Sequence, residues 1–231
     1  MSRRHVTIIE EENLQIPEDA FTFEGFQRWA ESDEFPENGR IDYLEGDIEV
    51  DMSPEDLYTH SAPKTAITLA LGKLIVDTDL GEIHVDSTRN TSRFTDLSVE
   101  PDVVVVLFES LRDGRVRPVS GARNKPGRFI AIEGPVDLVV EIVSDSSVKK
   151  DTQILPHLYA QAGVPEMWLV DARGEDLRFE IRTLRENHYE LVEPDAEGWI
   201  RSPHLGHTFR LIRQKRPGLG TWRYTLEVDP R

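Results

Sequence analysis

Three features of this 231-residue sequence predict a mixed α/β (α+β) fold. Two short apolar runs, 138–140 and 167–170, flank a segment of helical character, and this order indicates a βαβ-like unit. The stretch 99–108 contains four consecutive valines and is apolar enough for a central strand. Three later segments are typical of short antiparallel strands, namely 176–183, 188–193 and 207–213.

The βαβ-like unit has clear boundaries and one unusual residue. Gly163 is expected to end its helix, and Pro165 prevents the helix from continuing. Glu141 lies inside the first strand of the unit. An ionised carboxylate in such an apolar run costs several kcal/mol unless it is paired or bound to a metal. Glu141 is therefore the residue that most needs an explanation.

The first fifth of the chain predicts a short helix and a hairpin. Thr22 can cap a helix that carries Phe23, Phe26 and Trp29 on one side. Residues 40–52 alternate polar and apolar side chains in their second half, with Glu45-Gly46 at the centre. This pattern predicts a β-hairpin with a tight turn.

A longer helix is predicted to come after the hairpin. Ser61 and Pro63 indicate its start, and apolar residues at helical spacing carry it to about Asp79, with Gly81 ending it. Residues 82–96 then predict one or two strands, and residues 109–135 form a long polar connection.

The composition excludes several classes of protein. No segment approaches the roughly 18 apolar residues of a membrane span. The first residues lack the apolar core of a signal peptide. The absence of cysteine excludes disulfides, zinc–thiolate sites and a cysteine nucleophile, and it fits a reducing cytoplasm.

The charge is unevenly distributed along the chain. The net charge is −16, but residues 1–60 hold 17 acidic and 4 basic residues, which leaves a net of only −3 for residues 61–231. Residues 1–20 are predicted to be an acidic N-terminal arm, and residues 21–231 one domain with a β-rich C-terminal extension. The larger part of the chain could therefore still present a basic face to nucleic acid.

Two carboxylates are placed by predicted strands rather than by loops. Asp102 follows Pro101 at the start of one strand, and Glu141 lies within another. Neighbouring strands could bring these oxygens together as ligands of a hard divalent cation. The carbonyl of Val143 would face the same way as Glu141, because side chains alternate along a strand. The alternative is that Asp102 caps a turn and Glu141 pairs with a basic side chain.

Several motifs carry a family resemblance. Pro101-Asp102 followed by Glu141-Ile142-Val143 resembles the PD-(D/E)XK nuclease signature. The block from residue 135 to residue 171 resembles the putative restriction endonucleases of the Uma-two type, and the hairpin at 40–46 resembles the early hairpin of that family, which ends in an acid–glycine turn. The segments that begin at Met52 and at His60 resemble the part of the family that comes after this hairpin.

The resemblance implies a restriction-endonuclease-like fold with a mixed central β-sheet flanked by helices. It implies Mg²⁺-dependent (or Mn²⁺-dependent) phosphodiester hydrolysis in nucleic acid, with DNA as the expected partner, and a homodimer by analogy. Asp102, Glu141 and the carbonyl of Val143 would be metal ligands. Asp42 matches the acid of the early hairpin and would be an additional ligand or a water-positioning group.

The signature's lysine is missing. Val143 stands at its position, and Leu155 stands where the family usually offers a compensating lysine from the following helix. Lys150, nine residues beyond Glu141, is the predicted substitute, with Lys149 as the weaker choice. A lysine there would supply positive charge near the phosphoryl oxygens.

The polar connection and two histidines complete the candidates. Arg115, Arg117, Arg123 and Lys125 could track a phosphate backbone, or they could form a solvated loop. The pair His204 and His207 has the spacing of metal ligands on a helix, but Pro203 and Gly206 argue against a helix there.

Two other functions remain open at this stage. The first is a non-catalytic relative that keeps the fold in order to bind nucleic acid or protein. The second is a metal-dependent hydrolase that acts on a small phosphorylated substrate.

Overall fold

The chain folds into helices and strands that a computed structural model describes for residues 6–8, 14–36, 38–121 and 126–229, with only the backbone described for 6–8. The helices are α1 (Phe23–Ala30), α2 (Ala62–Leu71), α3 (Phe108–Arg112) and α4 (Leu155–Ala162). Turns of π-helix extend α2 on both sides (Leu57–Ser61 and Gly72–Val76) and precede α4 (Lys150–Ile154), and short 3₁₀ turns lie at Glu18–Phe21 and Arg93–Thr95.

The described residues also form sixteen strands. They are β1 (Val6–Ile8), β2 (Arg40–Leu44), β3 (Asp47–Asp51), β4 (Gly81–Val85), β5 (Arg89–Ser92), β6 (Leu97–Val99), β7 (Val103–Leu107), β8 (Arg117–Val119), β9 (Ala131–Glu133), β10 (Leu138–Ile142), β11 (Glu166–Asp171), β12 (Arg178–Arg185), β13 (His188–Leu191), β14 (Ile200–Arg201), β15 (Thr208–Lys215) and β16 (Trp222–Asp229).

Within the described residues the strands build three sheets. One sheet has the order β1-β3-β2-β6-β5-β9-β8, the second β13-β12-β11-β10-β7-β4, and the third β14-β15-β16. The first two sheets mix parallel and antiparallel pairs: β10 and β11 are parallel, for example, whereas β7 and β10 are antiparallel. The predicted mixed sheet flanked by helices is confirmed.

The central βαβ unit is confirmed in its elements and its direction. Strands β10 and β11 run parallel with α4 between them. Gly163 ends α4 at φ 85°, a left-handed conformation that favours glycine. Strand β7 lies antiparallel on the other side of β10, with Val103 opposite Val140. One step further along this register, Asp102 faces Glu141, so the two carboxylates share one face of the sheet.

The second sheet is covered on both faces. One face packs Val104, Val139 and Leu169 against Leu158 and Tyr159 of α4. The other face packs against α2 and the third sheet, through a set of buried apolar side chains: Ile67, Leu71, Val103, Val140, Trp168, Phe209 and Leu226. Because the strands are buried on both sides, they are continuous apolar runs in the sequence.

A third cluster covers the hairpin β2–β3. Phe26 and Trp29 of α1 pack against Ile41, Tyr43 and Ile48. Thr22 caps α1 by accepting a hydrogen bond from the backbone N–H of Gly25, as predicted. Glu45 and Gly46 form the turn at positive φ, so the predicted hairpin is also confirmed. Residues 1–5 and 9–13 of the predicted acidic arm lie outside the described residues.

The predicted boundaries of the second helix are wrong at both ends. The helix begins at Leu57, four residues before Ser61, because the Asp56 carboxylate caps it by accepting hydrogen bonds from the N–H groups of Tyr58 and Thr59. Its last turn ends at Val76. Gly81 begins β4 instead, where a Cβ would lie 2.3 Å from the carbonyl oxygen of Val106. Close backbone approach explains this glycine.

Two further predictions need correction. The long polar connection at 109–135 contains most of α3 and the strands β8 and β9, which join the first sheet. No strand was predicted after residue 213, whereas residues 222–229 form β16, which pairs with β15 over its whole length. Polar and apolar side chains alternate in this segment, as in a strand with one buried face. None of the described helices is long and apolar enough to cross a membrane.

Candidate active site

Asp102 lies at the centre of a buried cluster of charged residues. Its side chain is fully buried just before β7. Oδ1 accepts a hydrogen bond from Arg40 at 2.8 Å, and Oδ2 accepts one from the backbone N–H of Ile142 at 2.8 Å. Burial would raise the pKa of Asp102, but Arg40 and His60 hold it well below its usual range. Asp102 is therefore ionised.

Glu141 faces the same space from β10. Its side chain is 1% exposed, and Oε1 accepts a hydrogen bond from the Tyr159 hydroxyl at 2.6 Å. Burial raises the pKa of Glu141 well above its ordinary value, and repulsion from Asp151 and Asp102 raises it further. Without a cation, these surroundings therefore favour the protonated form of Glu141 more than in an ordinary glutamate.

Asp151 is a third buried carboxylate, on the π-helical turn before α4. Its Oδ2 accepts a hydrogen bond from Ser147, whereas its Oδ1 has no hydrogen-bond partner in the described part of the chain. Burial raises the pKa of Asp151 to about 7, and Asp102 adds to the increase. Buried carboxylates with raised pKa values and an oxygen without a partner supply the hard oxygen donors that a divalent cation binds. Among the described residues, the ligand atoms that lie within 4.8 Å of one another belong to Glu55, His60 and Asp102, so the fit to a metal ion is best at Asp102.

Lys150 and Asp42 form a buried ion pair beside this cluster. Lys150 is 3% exposed, and its Nζ lies 2.8 Å from Asp42 Oδ2 and 3.0 Å from Glu49 Oε1. Burial would lower the pKa of Lys150, but these acids raise it above its usual value, so the side chain is charged. The other oxygen of Asp42 accepts a hydrogen bond from the N–H of Glu100 at 3.0 Å.

The two positions at which the family would have its lysine lie in the hydrophobic core. Val143 follows β10, Leu155 begins α4, and both side chains are buried in the same apolar cluster. The N–H of Val143 donates to the carbonyl of Val170 at 2.8 Å, which continues the pairing of β10 with β11.

A cleft of about 450 Å³ gives access to the Arg40 side of the cluster. Arg40 and His60 line it, and the Arg40 side chain is 23% exposed. The rim is acidic, because it carries six carboxylates against Arg40 and Arg173: Asp51, Glu55, Asp56, Asp86, Glu100 and Asp145. Four serines, Ser53, Ser87, Ser144 and Ser146, add neutral hydrogen-bonding groups.

A second row of polar groups runs from the cleft to Asp102. His60 Nδ1 lies 2.6 Å from Glu55 Oε1, and His60 Nε2 lies 3.4 Å from Asp102 Oδ2. Lys64 donates to Glu55 and, at 2.6 Å, to Asp86. Glu55, His60 and Asp102 each present a ligand atom within 4.8 Å of the others. Burial would lower the pKa of His60, but the two carboxylates raise it above its ordinary value.

Of the residues predicted to contact phosphates, the structure describes Arg115 and Arg117, and both lie outside the cleft. Arg115 donates to Ser110 and lies 3.3 Å from Asp137, and Arg117 pairs with Glu133 at 2.7 Å. Arg123 and Lys125 lie outside the described residues. His204 Nε2 lies 3.1 Å from Asp137 Oδ1, and His207 Nδ1 lies 2.8 Å from the carbonyl of Leu205, so these two histidines have separate partners.

Sequence reasoning gave no role to Arg40, Lys64, Asp151 or Tyr159. A signal for two of them was present, because Ser147, Asp151 and Tyr159 recur at intervals of four and eight residues and so share a helix face. Arg40 and Lys64 carry no such signal, since each reaches Asp102 only through tertiary packing.

A mixed sheet that brings buried carboxylates from adjacent strands to one edge defines the restriction-endonuclease-like class. The chain belongs to the Uma2 family, described as putative restriction endonuclease, whose family model matches residues 23–211. This confirms the family to which the sequence motifs pointed.

A solved structure supports the same fold. A putative nuclease belonging to DUF820 from Anabaena variabilis ATCC 29413 is similar to this chain with a TM-score of 0.56 and 20% identity, covering 80% of this chain and 90% of that one. No curated protein matches this chain.

Proposed function

We propose that this protein is a divalent-metal-dependent nuclease that hydrolyses phosphodiester bonds in nucleic acid, with DNA as the expected substrate. The observation that carries the proposal is a set of three buried carboxylates: Asp102 and Asp151 raise the pKa of Glu141, Asp102 raises that of Asp151, and Asp151 has an oxygen without a partner in the described residues. Family membership supports the nuclease class.

Asp102, Glu141 and the carbonyl of Val143 would hold the ion, which is Mg²⁺ or Mn²⁺. A bound divalent ion lowers the pKa of its water and neutralises charge that develops on the phosphate. Tyr159 fixes the orientation of Glu141 through its 2.6 Å hydrogen bond. The N–H of Ile142 fixes Asp102 in the same way.

Positive charge near the substrate has two sources in this chain. Lys150 is charged and buried beside Asp42, and we propose that it contributes to the field at the phosphate from there. Arg40 lines the cleft and can meet the substrate directly once a metal ion compensates Asp102. Asp42 holds Lys150 in place and so acts through it.

The decisive experiment compares metal-dependent stability and activity in Glu141→Gln. Metal that binds only the folded state raises its melting temperature by mass action. We expect Mn²⁺ and Mg²⁺ to stabilise the wild type but not Glu141→Gln, and we expect metal-dependent nicking of supercoiled DNA only in the wild type. Glu166→Gln is the matched control, because Glu166 is also a buried glutamate with a raised pKa but lies at the start of β11, away from the cluster. Equal melting temperatures of the wild type with chelator and with millimolar metal would contradict the proposal.

The acidic rim of the cleft favours a second candidate function. Six carboxylates against two arginines repel a polyanion, and the signature's lysine is absent. A catalytically impaired member of the family that binds nucleic acid or protein would have these features. Absence of nicking by the wild type, in conditions where metal binding is measured, would support this candidate over the first.

The setting of the proposed reaction is inferred from the sequence and the family. We place it in the cytoplasm, because a chain without cysteine fits a reducing compartment. We also propose a homodimer, by analogy with the family. Sedimentation equilibrium of the purified chain would test the homodimer.

A further inference from the structure

We infer that His60 is an additional ligand of the metal ion and that Glu55 positions it. We infer also that this nitrogen ligand gives the site a preference for Mn²⁺ over Mg²⁺. The inference rests on the proposed function, since it adds a ligand to the ion that Asp102 would hold.

The position of His60 is the first argument. His60 is 7% exposed and lies on the π-helical turn that begins the second helix, at the cleft. Its Nε2 lies 3.4 Å from Asp102 Oδ2. Hydrogen bonds of this kind are about 2.7–3.2 Å long. Two ligand atoms that each lie about 2.0–2.2 Å from one ion, at angles between octahedral and tetrahedral, are roughly 3.0–3.5 Å apart.

The partner of the other ring nitrogen is the second argument. Histidines that bind metals almost always donate their remaining ring N–H to a carboxylate or a carbonyl. His60 Nδ1 has such a partner in Glu55 Oε1 at 2.6 Å. Lys64 in turn binds both Glu55 and Asp86, so the carboxylate is held although its side chain is 40% exposed. The other ring nitrogen, Nε2, faces Asp102 Oδ2 at 3.4 Å.

The charge balance around Asp102 is the third argument. A buried carboxylate needs compensation, but Arg40 already lies at 2.8 Å and Lys64 at 3.9 Å from Asp102 Oδ1. A third cation is not required to neutralise one negative charge. His60 Nε2 is therefore available to Asp102 as a co-ligand when an ion binds between them.

The expected metal preference is a consequence of ligand chemistry. Mg²⁺ strongly prefers oxygen ligands, whereas imidazole suits transition-metal ions. We expect Mn²⁺ to bind more tightly than Mg²⁺. We expect His60→Asn to lower Mn²⁺ affinity by about 10–100-fold while affecting Mg²⁺ affinity less, and Glu55→Gln to lower Mn²⁺ affinity by about 10-fold, the scale measured for supporting residues.

The test measures metal binding on the full chain after removal of metal. Calorimetric titrations with MnCl₂ and MgCl₂ compare the wild type with His60→Asn, Glu55→Gln and Glu141→Gln. His84→Asn is the control, because His84 is an accessible histidine on β4 that pairs with Glu82 outside the cleft. Pulsed electron paramagnetic resonance of bound Mn²⁺ gives a direct readout, since a coordinated imidazole nitrogen produces a hyperfine coupling.

The outcomes separate the two proposals. A nitrogen coupling in the wild type and in His84→Asn that is lost in His60→Asn supports the inference. Mn²⁺ binding that is lost in Glu141→Gln but unchanged in His60→Asn, without nitrogen coupling, overturns the inference and leaves the proposed function intact. No binding of either ion by the wild type overturns both. If His60→Asn does not fold, ¹⁵N-histidine labelling of the wild type decides, because the coupling must then change to that of ¹⁵N.

Discussion

At the scale of single residues, the buried cluster contains two carboxylates whose pKa values shift in opposite directions. The pKa of Asp102 is lowered because Arg40, the N–H of Ile142 and His60 surround it. The pKa of Glu141 is raised well above its ordinary value, and its carboxyl group accepts a hydrogen bond from the Tyr159 hydroxyl. The two residues are adjacent in the strand register, so their surroundings, and not their location, set the difference.

This difference predicts opposite effects for two isosteric substitutions in the metal-free protein. Asp102→Asn leaves Arg40 without its direct counter-charge, and breaking a buried pair in this way costs about 3–5 kcal/mol. Glu141→Gln replaces a carboxyl group whose raised pKa favours the neutral form with a neutral amide that can still accept from Tyr159, so the change should stay within about 1 kcal/mol. Urea unfolding with chelator measures both free energies. Equal destabilisation by the two substitutions would contradict the assigned charge states.

Lys150 predicts a structural effect that must be separated from catalysis. Removing its charge leaves the buried Asp42 carboxylate without its counter-charge, so Lys150→Ala should destabilise the fold by about 3–5 kcal/mol. Lys149→Ala is the control, because Lys149 is exposed on the adjacent position. We also expect nicking to fall roughly ten-fold or more in Lys150→Ala, measured at a temperature where the variant is folded. Full activity in that folded variant would remove Lys150 from the mechanism.

At the scale of elements, Asp137 joins three parts of the chain at the start of β10. Its carboxylate accepts hydrogen bonds from the N–H of Leu107 and from Ser110 of α3. His204, in the loop before β15, lies 3.1 Å from it. Burial would raise the pKa of Asp137, but His204, Ser110 and Leu107 hold it below its usual value.

The lowered pKa of Asp137 predicts the direction of a pH dependence. Stability from this carboxylate is fully present above its unfolded pKa of about 3.9 and is lost as the pH falls through the lower folded value. Asp137→Asn should therefore cost about 1–3 kcal/mol at pH 7 and reduce the loss of stability in acid. Asp176→Asn, at an exposed position, is the control. Unfolding free energies measured between pH 2 and pH 7 test this prediction. If the free energy of unfolding falls as steeply at low pH in Asp137→Asn as in the wild type, the prediction is wrong.

The predictability of each element depends on the range of the contacts that define it. Local patterns suffice for the hairpin β2–β3 and for the βαβ unit, because turn residues and apolar runs specify both. The start of the second helix was missed because Asp56, a cap outside the apolar pattern, decides it. The pairing of β5 with β9 joins Asn90 to Ile132 across the polar connection, and no local signal specifies it.

The same distinction applies to the candidate site. Asp102 and Glu141 were recognised because a charge inside an apolar strand is visible in the sequence. The ion pair between Arg40 and Asp102 spans 62 residues, and that between Lys150 and Asp42 spans 108, so only the folded chain reveals them. The position of Lys150 was predicted, whereas its burial between two acids was not.

At the scale of the whole molecule, the charge distribution constrains how a nucleic acid could bind. The net charge is −16, and the rim of the cleft is acidic. The described arginines of the polar connection lie outside the cleft lining, and Arg117 is largely exposed. A duplex that reached the cleft would need divalent ions at the carboxylates and contacts from basic groups around it.

This constraint predicts a specific change in salt dependence. If the polar connection contacts phosphates, the affinity for DNA in the presence of Mn²⁺ should fall steeply as the salt concentration rises. Replacing Arg115, Arg117 and Arg123 by Ala should then reduce the slope of log affinity against log salt concentration by up to about three counterions. Fluorescence anisotropy with a labelled duplex between 50 and 300 mM NaCl measures the slope. Because Arg115 also pairs with Asp137, the variant's melting temperature must be measured alongside. The matched control is Arg173→Ala, which removes a cation from the cleft rim. An unchanged slope in the triple variant together with a flatter slope in Arg173→Ala would indicate that the phosphates contact the rim of the cleft and not the polar connection.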